Sequence, residues 1–159
     1  MKTIRVKEEW QRAGVYYVRT EAMVLGFNLS LEGEFADDTP EGKYILVTDD
    51  KGKPLSTNRI HLLPERNLAK IERVATISTA RGAGAGAAGI RAAEDWIREL
   101  GYSHIVITSR EEAEGFYQKL GYTTREDMNP DTLEAKKPSD PVREVRDPRF
   151  ICVYMEKQL

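Results

Sequence analysis

At 159 residues the chain is long enough to bury a hydrophobic core without staples, and its length suits a single domain over residues 1–159. Charged residues make up 31% and hydrophobic ones 40%, and the net charge of -2 argues against nucleic-acid binding through a general basic field. The single cysteine, Cys152, excludes an internal disulfide framework and a cysteine-based zinc site. Met1 to Lys7 lacks the apolar stretch of a signal peptide, and no apolar run reaches the ~18–20 residues that cross a bilayer, so a cytoplasmic protein without a membrane partner is expected.

Ile4 to Lys7 reads as a first strand. A helical pattern follows from Glu8, with Val15, Val18, Ala22 and Leu25 on one face and Gly26 as its stop. The acidic connection from Leu31 to Gly42 predicts a solvated loop. Lys43–Thr48 is a strand, Asp49–Lys53 a turn, and Pro54–Leu63 the returning strand of a hairpin. After a turn at Pro64–Asn67, Leu68–Ile77 completes a meander. Its alternation places Ile71, Arg73, Ala75 and Ile77 on one face and Lys70, Glu72, Val74 and Thr76 on the other.

Ile90, Ala93, Ile97 and Leu100 mark the apolar stripe of a long helix that Gly101 ends. His104–Thr108 is a short buried strand, parallel to the preceding one because a helix connects them. Ser109, with Glu112 three residues on, forms a capping box for a helix lined by Ala113, Phe116, Tyr117 and Leu120. Tyr122–Thr124 opens a final antiparallel pair, residues 126–149 form a proline-containing excursion, and Phe150–Met155 closes the sheet, with Cys152 as a buried small hydrophobe. The order is β-α-β-β-β-α-β-α-β-β, an α/β (α+β) mixed sheet with helices on its faces.

The stretch Arg81-Gly82-Ala83-Gly84-Ala85-Gly86-Ala87-Ala88-Gly89 stands at the start of the long helix. Glycine is disfavoured there by about 0.8–1.0 kcal/mol per interior position relative to alanine, so close approach of a ligand to the backbone is expected. Unpaired N–H groups and the helix dipole make a phosphate the natural guest. Gly84 to Gly89 spell the dinucleotide pattern G-x-G-x-x-G. In that fold, however, the strand runs directly into the first glycine, whereas Ser78, Thr79, Ala80 and Arg81 intervene here. No Walker Gly-Lys-Ser/Thr is present.

Read instead as R-x-x-G-x-G over Arg81, Gly84 and Gly86, with Ile71-Glu72-Arg73-Val74 before it and Phe116-Tyr117-Gln118-Lys119-Leu120-Gly121-Tyr122 after it, the chain resembles the GNAT superfamily of N-acetyltransferases. Tyr17 to Val24 also looks like the first helix of small bacterial members. The resemblance implies a mostly antiparallel sheet whose one parallel pair splays at a cleft for acetyl-CoA, the co-substrate. Backbone N–H groups of Gly82, Ala83, Gly84, Ala85, Gly86 and Ala87, with Arg81, would hold its pyrophosphate, leaving Gly89 as a helix-packing residue. Val74, Ala75 and Thr76 would pair with the pantetheine amides like an added strand, and an N–H there would stabilise the oxyanion.

The resemblance makes Tyr117 the general acid for the CoA thiolate, and Glu72 the candidate base for the acceptor ammonium. As a purely structural residue, Glu72 would pair with Lys70 or Arg73. Several positions depart from the family pattern: Ser78-Thr79-Ala80 replace bulkier residues, Ala83 and Ala87 stand where basic residues are frequent, and Arg110 replaces an asparagine that contacts CoA. The implied activity is acetyl transfer to a small-molecule or peptide amine in a ternary complex, with a homodimer possible. A CoA-binding module without turnover is the alternative. His61 and His104 stand far apart without a nucleophile motif, and no metal site is indicated.

Overall fold

The computed structural model describes residues 1–141, 143–145 and 147–159, with Glu144 and Val145 as backbone; Val142 and Arg146, in the predicted excursion, lie outside the described residues. The elements are β1 (Lys2–Arg5), α1 (Glu9–Arg19), α2 (Leu31–Phe35), β2 (Lys43–Thr48), β3 (Pro54–Leu63), β4 (Leu68–Thr76), α3 (Ala85–Glu99), β5 (His104–Arg110), α4 (Glu114–Lys119), β6 (Thr123–Thr124), β7 (Glu144–Val145) and β8 (Ile151–Gln158). The strands follow the order β1-β2-β3-β4-β5-β8-β6, with β7 also on β8. Every pairing with a recorded register is antiparallel except β4 with β5, which run parallel over Ala69↔Ile105 and Lys70↔Val106. Contacts divide the chain into two units, one of Met1–Leu62 with Ile71–Gly101 and one of Leu63–Lys70 with Tyr102–Leu159.

In the first unit β2 is covered on both faces, which explains its unbroken apolar run. Tyr44 and Leu46 pack with Val15 of α1 and with Val6. On the opposite face, Ile45 and Ala88 line one depression, and Val47 lies against Gly89 of α3. A Cβ on Gly89 would stand 3.2 Å from Val47 Cγ2 and from Asn58 Nδ2, so this glycine lets helix and strand approach. Ile90, Ala93 and Ile97 fill the rest of the interface side of α3, while Leu100 is partly exposed.

Helix α1 does not stop at Gly26. It passes into a π-helical stretch, Thr20–Leu25, and Gly26 keeps right-handed helical backbone. The chain reverses at Asn28, which takes φ +55°. The wider turn changes the face presented, and Leu25 is 74% exposed rather than buried with Val15, Val18 and Ala22. In β4 the predicted two-face alternation is interrupted at Arg73, whose φ of +51° is a left-handed, bulge-like conformation.

In the second unit β5 extends through Arg110, paired across from Cys152 of β8. The Ser109 capping box therefore does not form: Ser109 Oγ donates to the Arg110 carbonyl, and a 3-10 turn over Glu111–Ala113 leads into α4. Continued ladder pairing outcompetes the local cap. Leu68, Val106, Leu133 and Tyr154 form a buried cluster, so the excursion is anchored by Leu133 and by its Pro130 carbonyl, which accepts from Thr108 Oγ1 at 2.7 Å. Cys152 is half-buried rather than fully enclosed. Among the described residues no helix is long and apolar enough to cross a membrane.

Candidate active site

The candidate residues divide between the two units. In the first, the chain leaves β4, makes a 3-10 turn over Ser78–Ala80 and enters α3 across Arg81 to Gly84. Gly82 and Gly84 take φ +80° and +89°. This left-handed region costs an L-residue about 1–2 kcal/mol. A Cβ on Gly82 would meet nothing within 4 Å, and one on Gly84 only Met1 Cε at 3.9 Å. Backbone conformation, not crowding by the protein, requires glycine at both positions. Arg81, Gly82, Ala83 and Gly84 are exposed, the Ala85 side chain is buried, and Gly86 and Ala87 are half-buried.

Ala85, Gly86 and Ala87 form the first turn of α3, where N–H groups have no intrahelical acceptor. No capping side chain and no acidic residue occupies that turn. Arg81 has no hydrogen-bond or ion-pair partner among the described residues. Free N–H groups, the positive end of a fifteen-residue helix and an unpaired guanidinium fit an anionic group such as the diphosphate of CoA. Just upstream, Ser56 Oγ donates to the Ala75 carbonyl at 2.8 Å and lies 2.9 Å from Thr76 Oγ1. Val74 is half-buried beside them.

Glu72 pairs with neither Lys70 nor Arg73. Its Oε2 accepts from Arg59 Nη2, and its Oε1 lies 3.2 Å from His61 Nδ1. Arg59 is held in turn by Asp37 at 2.9 Å and Asp38 at 3.0 Å. Asp38 also pairs with Arg19 at 2.7 Å and accepts from the Tyr44 hydroxyl, and Arg19 is fully buried. Arg73 reaches Asp37 at 3.1 Å and Glu34 at 3.7 Å. The acidic segment predicted as a solvated loop therefore supplies the counter-ions of arginines on α1, β3 and β4, because buried guanidinium groups need paired anions.

Burial pushes the Asp38 carboxyl up, but hydrogen bonds from Arg19 and Tyr44 outweigh it and hold the carboxyl below its ordinary value. The Arg59 hydrogen bond, aided by the charge of Arg73, holds Asp37 at about 2. Burial, with Asp38 as partner, pushes the Tyr44 hydroxyl up to about 12.

In the second unit Tyr117 is buried on α4, edge-on to Phe116 at 5.0 Å and to Tyr122 at 6.0 Å. Its hydroxyl has no hydrogen-bond partner among the described residues. Burial raises its pKa far above the usual tyrosine value, against the lowering effect of the Arg110 charge. Arg110 itself lies 3.7 Å from Glu112 and over the Phe150 ring. Among the described residues, no group of three or more His, Cys, Asp or Glu could hold a metal.

The model of the acetyltransferase (GNAT) family matches residues 3–122. The chain belongs to the GNAT acetyltransferase family. It is 30% identical over 122 residues, 77% of this chain and 85% of the other, to the uncharacterized N-acetyltransferase YjcF of Bacillus subtilis. A Lactobacillus plantarum structure provisionally described as an N-acetyltransferase superposes with a TM-score of 0.78 at 26% identity, covering 99% of this chain and 97% of that one. The ribosomal-protein-S18-alanine N-acetyltransferase of Escherichia coli shares the fold, with a TM-score of 0.66 at 16% identity over 99% and 94% of the two chains.

Within this GNAT chain, sequence reasoning missed Arg19, Arg59, Asp37 and Asp38, and passed over His61. A signal was present. Arg19 directly follows buried Val18 on an otherwise apolar helix face, and Arg59 sits inside a strand, while the nearest run of acids is Glu32 to Glu41.

Proposed function

We propose that this GNAT protein transfers an acetyl group from acetyl-CoA to a primary amine, by direct attack in a ternary complex. Bound acetyl-CoA would supply the activated thioester. Arg81 and the N–H groups of Gly82, Gly84, Ala85, Gly86 and Ala87 hold its diphosphate, while the Ala83 N–H already donates to the Ala80 carbonyl at 3.4 Å. Backbone groups of Val74, Ala75 and Thr76 align the pantetheine arm, and Arg110 adds positive charge on the donor side. The unfilled N–H groups beside an unpaired Arg81 carry this reading.

Glu72 serves the acceptor side, where an arriving ammonium must lose a proton before its nitrogen can attack. Tyr117 keeps its proton at neutral pH, since burial disfavours the phenolate, gives it to the sulfur as the C–S bond breaks, and is made good by the second proton that the nitrogen sheds on becoming an amide. The balance is one acetyl group moved from sulfur to nitrogen and one proton released per ammonium consumed.

The test is incubation of the full chain with acetyl-CoA and a panel of amines, following free thiol, with CoA binding measured in parallel by calorimetry. Thiol release that depends on an amine is the expected result. Absence of CoA binding refutes the donor reading. CoA binding without transfer to any amine marks a CoA-binding module instead.

A further inference from the structure

We propose that the imidazole of His61 is the group that takes the proton from the acceptor ammonium, with Glu72 as the positioning residue that fixes the ring. The proposal rests on the acetyl-transfer reading and sharpens its acceptor half.

The hydrogen-bond directions follow from chemistry. An ionised carboxylate only accepts, so Nδ1, 3.2 Å from Glu72 Oε1, carries the hydrogen. In the neutral ring the lone pair is then on Nε2. The other Glu72 oxygen is taken by Arg59, whose side chain is 9% exposed and pinned by Asp37 and Asp38. The carboxylate is therefore held from two sides, and the ring it orients cannot turn without losing the contact.

Exposure separates the two candidates. The His61 side chain is 57% exposed and that of Glu72 is 15% exposed, so an arriving amine meets the imidazole more readily than the carboxylate. Electrostatics points the same way. A proton placed on Glu72 would discharge the anion against which the Arg59 guanidinium is packed, whereas a proton placed on Nε2 leaves that pair intact. Among the described residues, Glu72 is the ionisable group that hydrogen-bonds the ring. Arg59 on the same strand, then Asp37, Asp38 and Arg73, stand behind it.

The step balances as a proton transfer. The ammonium gives one proton to Nε2 and becomes a neutral amine with a free lone pair. The ring becomes imidazolium, stabilised by the Glu72 carboxylate, and returns the proton to water before the next turnover. This is the logic of a carboxylate-oriented histidine, applied to an amine in place of a hydroxyl nucleophile.

The experiment compares wild type with His61→Asn and Glu72→Gln, each as the full chain, using the best amine of the panel at saturating acetyl-CoA. His61→Asn keeps an N–H for Glu72 but removes the titrating nitrogen, so a merely structural role would survive it. We expect kcat/KM at pH 6–7 to fall by about 10²-fold or more. The limb of the pH profile that His61 carries should disappear, and CoA affinity should stay within about twofold, since its phosphate loop is untouched. Nitrogen-15 imidazole spectra of the unliganded protein should show the Nδ1–H tautomer in wild type and its loss in Glu72→Gln.

His61→Asn turning over within about threefold of wild type, with its limb retained, overturns the proposal and leaves acetyl transfer standing. An Nε2–H tautomer in wild type also overturns it. Failure of wild type to acetylate any amine overturns the proposal and the acetyl-transfer reading together.

Discussion

Gly82 separates the protein's need for glycine from a ligand's need. Its φ of +80° is left-handed, and an added Cβ would meet nothing within 4 Å. Gly82→Ala therefore introduces no clash, only the conformational cost of about 1–2 kcal/mol for an L-residue in that region. The cost can appear in either of two places. If the loop keeps its conformation without ligand, stability falls by that amount, lowering Tm by roughly 2–8 °C for a chain of this size. If the exposed loop relaxes, the free protein keeps its stability and CoA must restore the strained backbone, raising Kd by about 5- to 30-fold.

Thermodynamic linkage requires the two losses to sum to the same ~1–2 kcal/mol, because unfolded chain and bound complex are the same end states on either route. Urea unfolding without ligand gives the first loss, and calorimetric titration with CoA gives the second. A combined loss near zero refutes the reasoning, since it would mean that no left-handed residue is needed at this position in the complex. A combined loss well beyond that range would mean that the added methyl collides with the bound diphosphate.

Tyr117→Phe removes a hydroxyl that has no hydrogen-bond partner among the described residues, so unfolding free energy should change by less than about 0.5 kcal/mol while kcat falls by about 10²- to 10⁴-fold; equal loss of stability and activity would make the residue structural. Arg19→Met strips a buried cation from Asp38 and Glu34, and breaking such a pair should cost about 3–5 kcal/mol in urea unfolding, with Asp38→Asn added to the variant recovering part of it. A loss under about 1 kcal/mol would show that water reaches the network. Asp37, held at about 2 against an ordinary 3.8, contributes stability that is present above about pH 4 and is lost as pH falls toward 2. Because that side chain is 54% exposed, the contribution is below ~1 kcal/mol, read as the difference in urea midpoint between wild type and Asp37→Asn from pH 5 to pH 2.5.

What the sequence made legible is what local chemistry decides. Lys43–Thr48 reads as a strand and is one, and the structure adds that it is covered on both faces. Gly101, at φ +93°, ends α3 as its position implied, and Gly89 packs helix on strand. The illegible parts are those where tertiary structure overrides local preference. Nothing about an arginine announces left-handed backbone, yet Arg73 takes it, in reach of Asp37 and Glu34. Ser109 and Glu112 satisfy the capping-box pattern, but the ladder to β8 claims Ser109 and Arg110 first. Leu25 fits the apolar spacing of a regular helix and is exposed because the helix there is not regular.

The acidic segment departs from its expectation in part: most of it is exposed, as a solvated loop would be, but Glu34 and Asp38 are drawn into ion pairs. As a solvated loop it would offer only diffuse attraction to a cation. In the structure Glu34, Asp37 and Asp38 join Glu72 in facing Arg19, Arg59 and Arg73, four anions against three cations. The deepest members neutralise one another: Arg19, Glu34 and Asp38 side chains are all under 7% exposed. The network reaches solvent at Asp37, whose side chain is 54% exposed. On the proposed acetyl-transfer reading, an arriving ammonium would meet the His61 imidazole backed by the Glu72 carboxylate. Glu72 is held by Arg59, and Arg59 by Asp38, so the segment following α2 helps set the geometry of the Glu72–His61 pair without touching the ring.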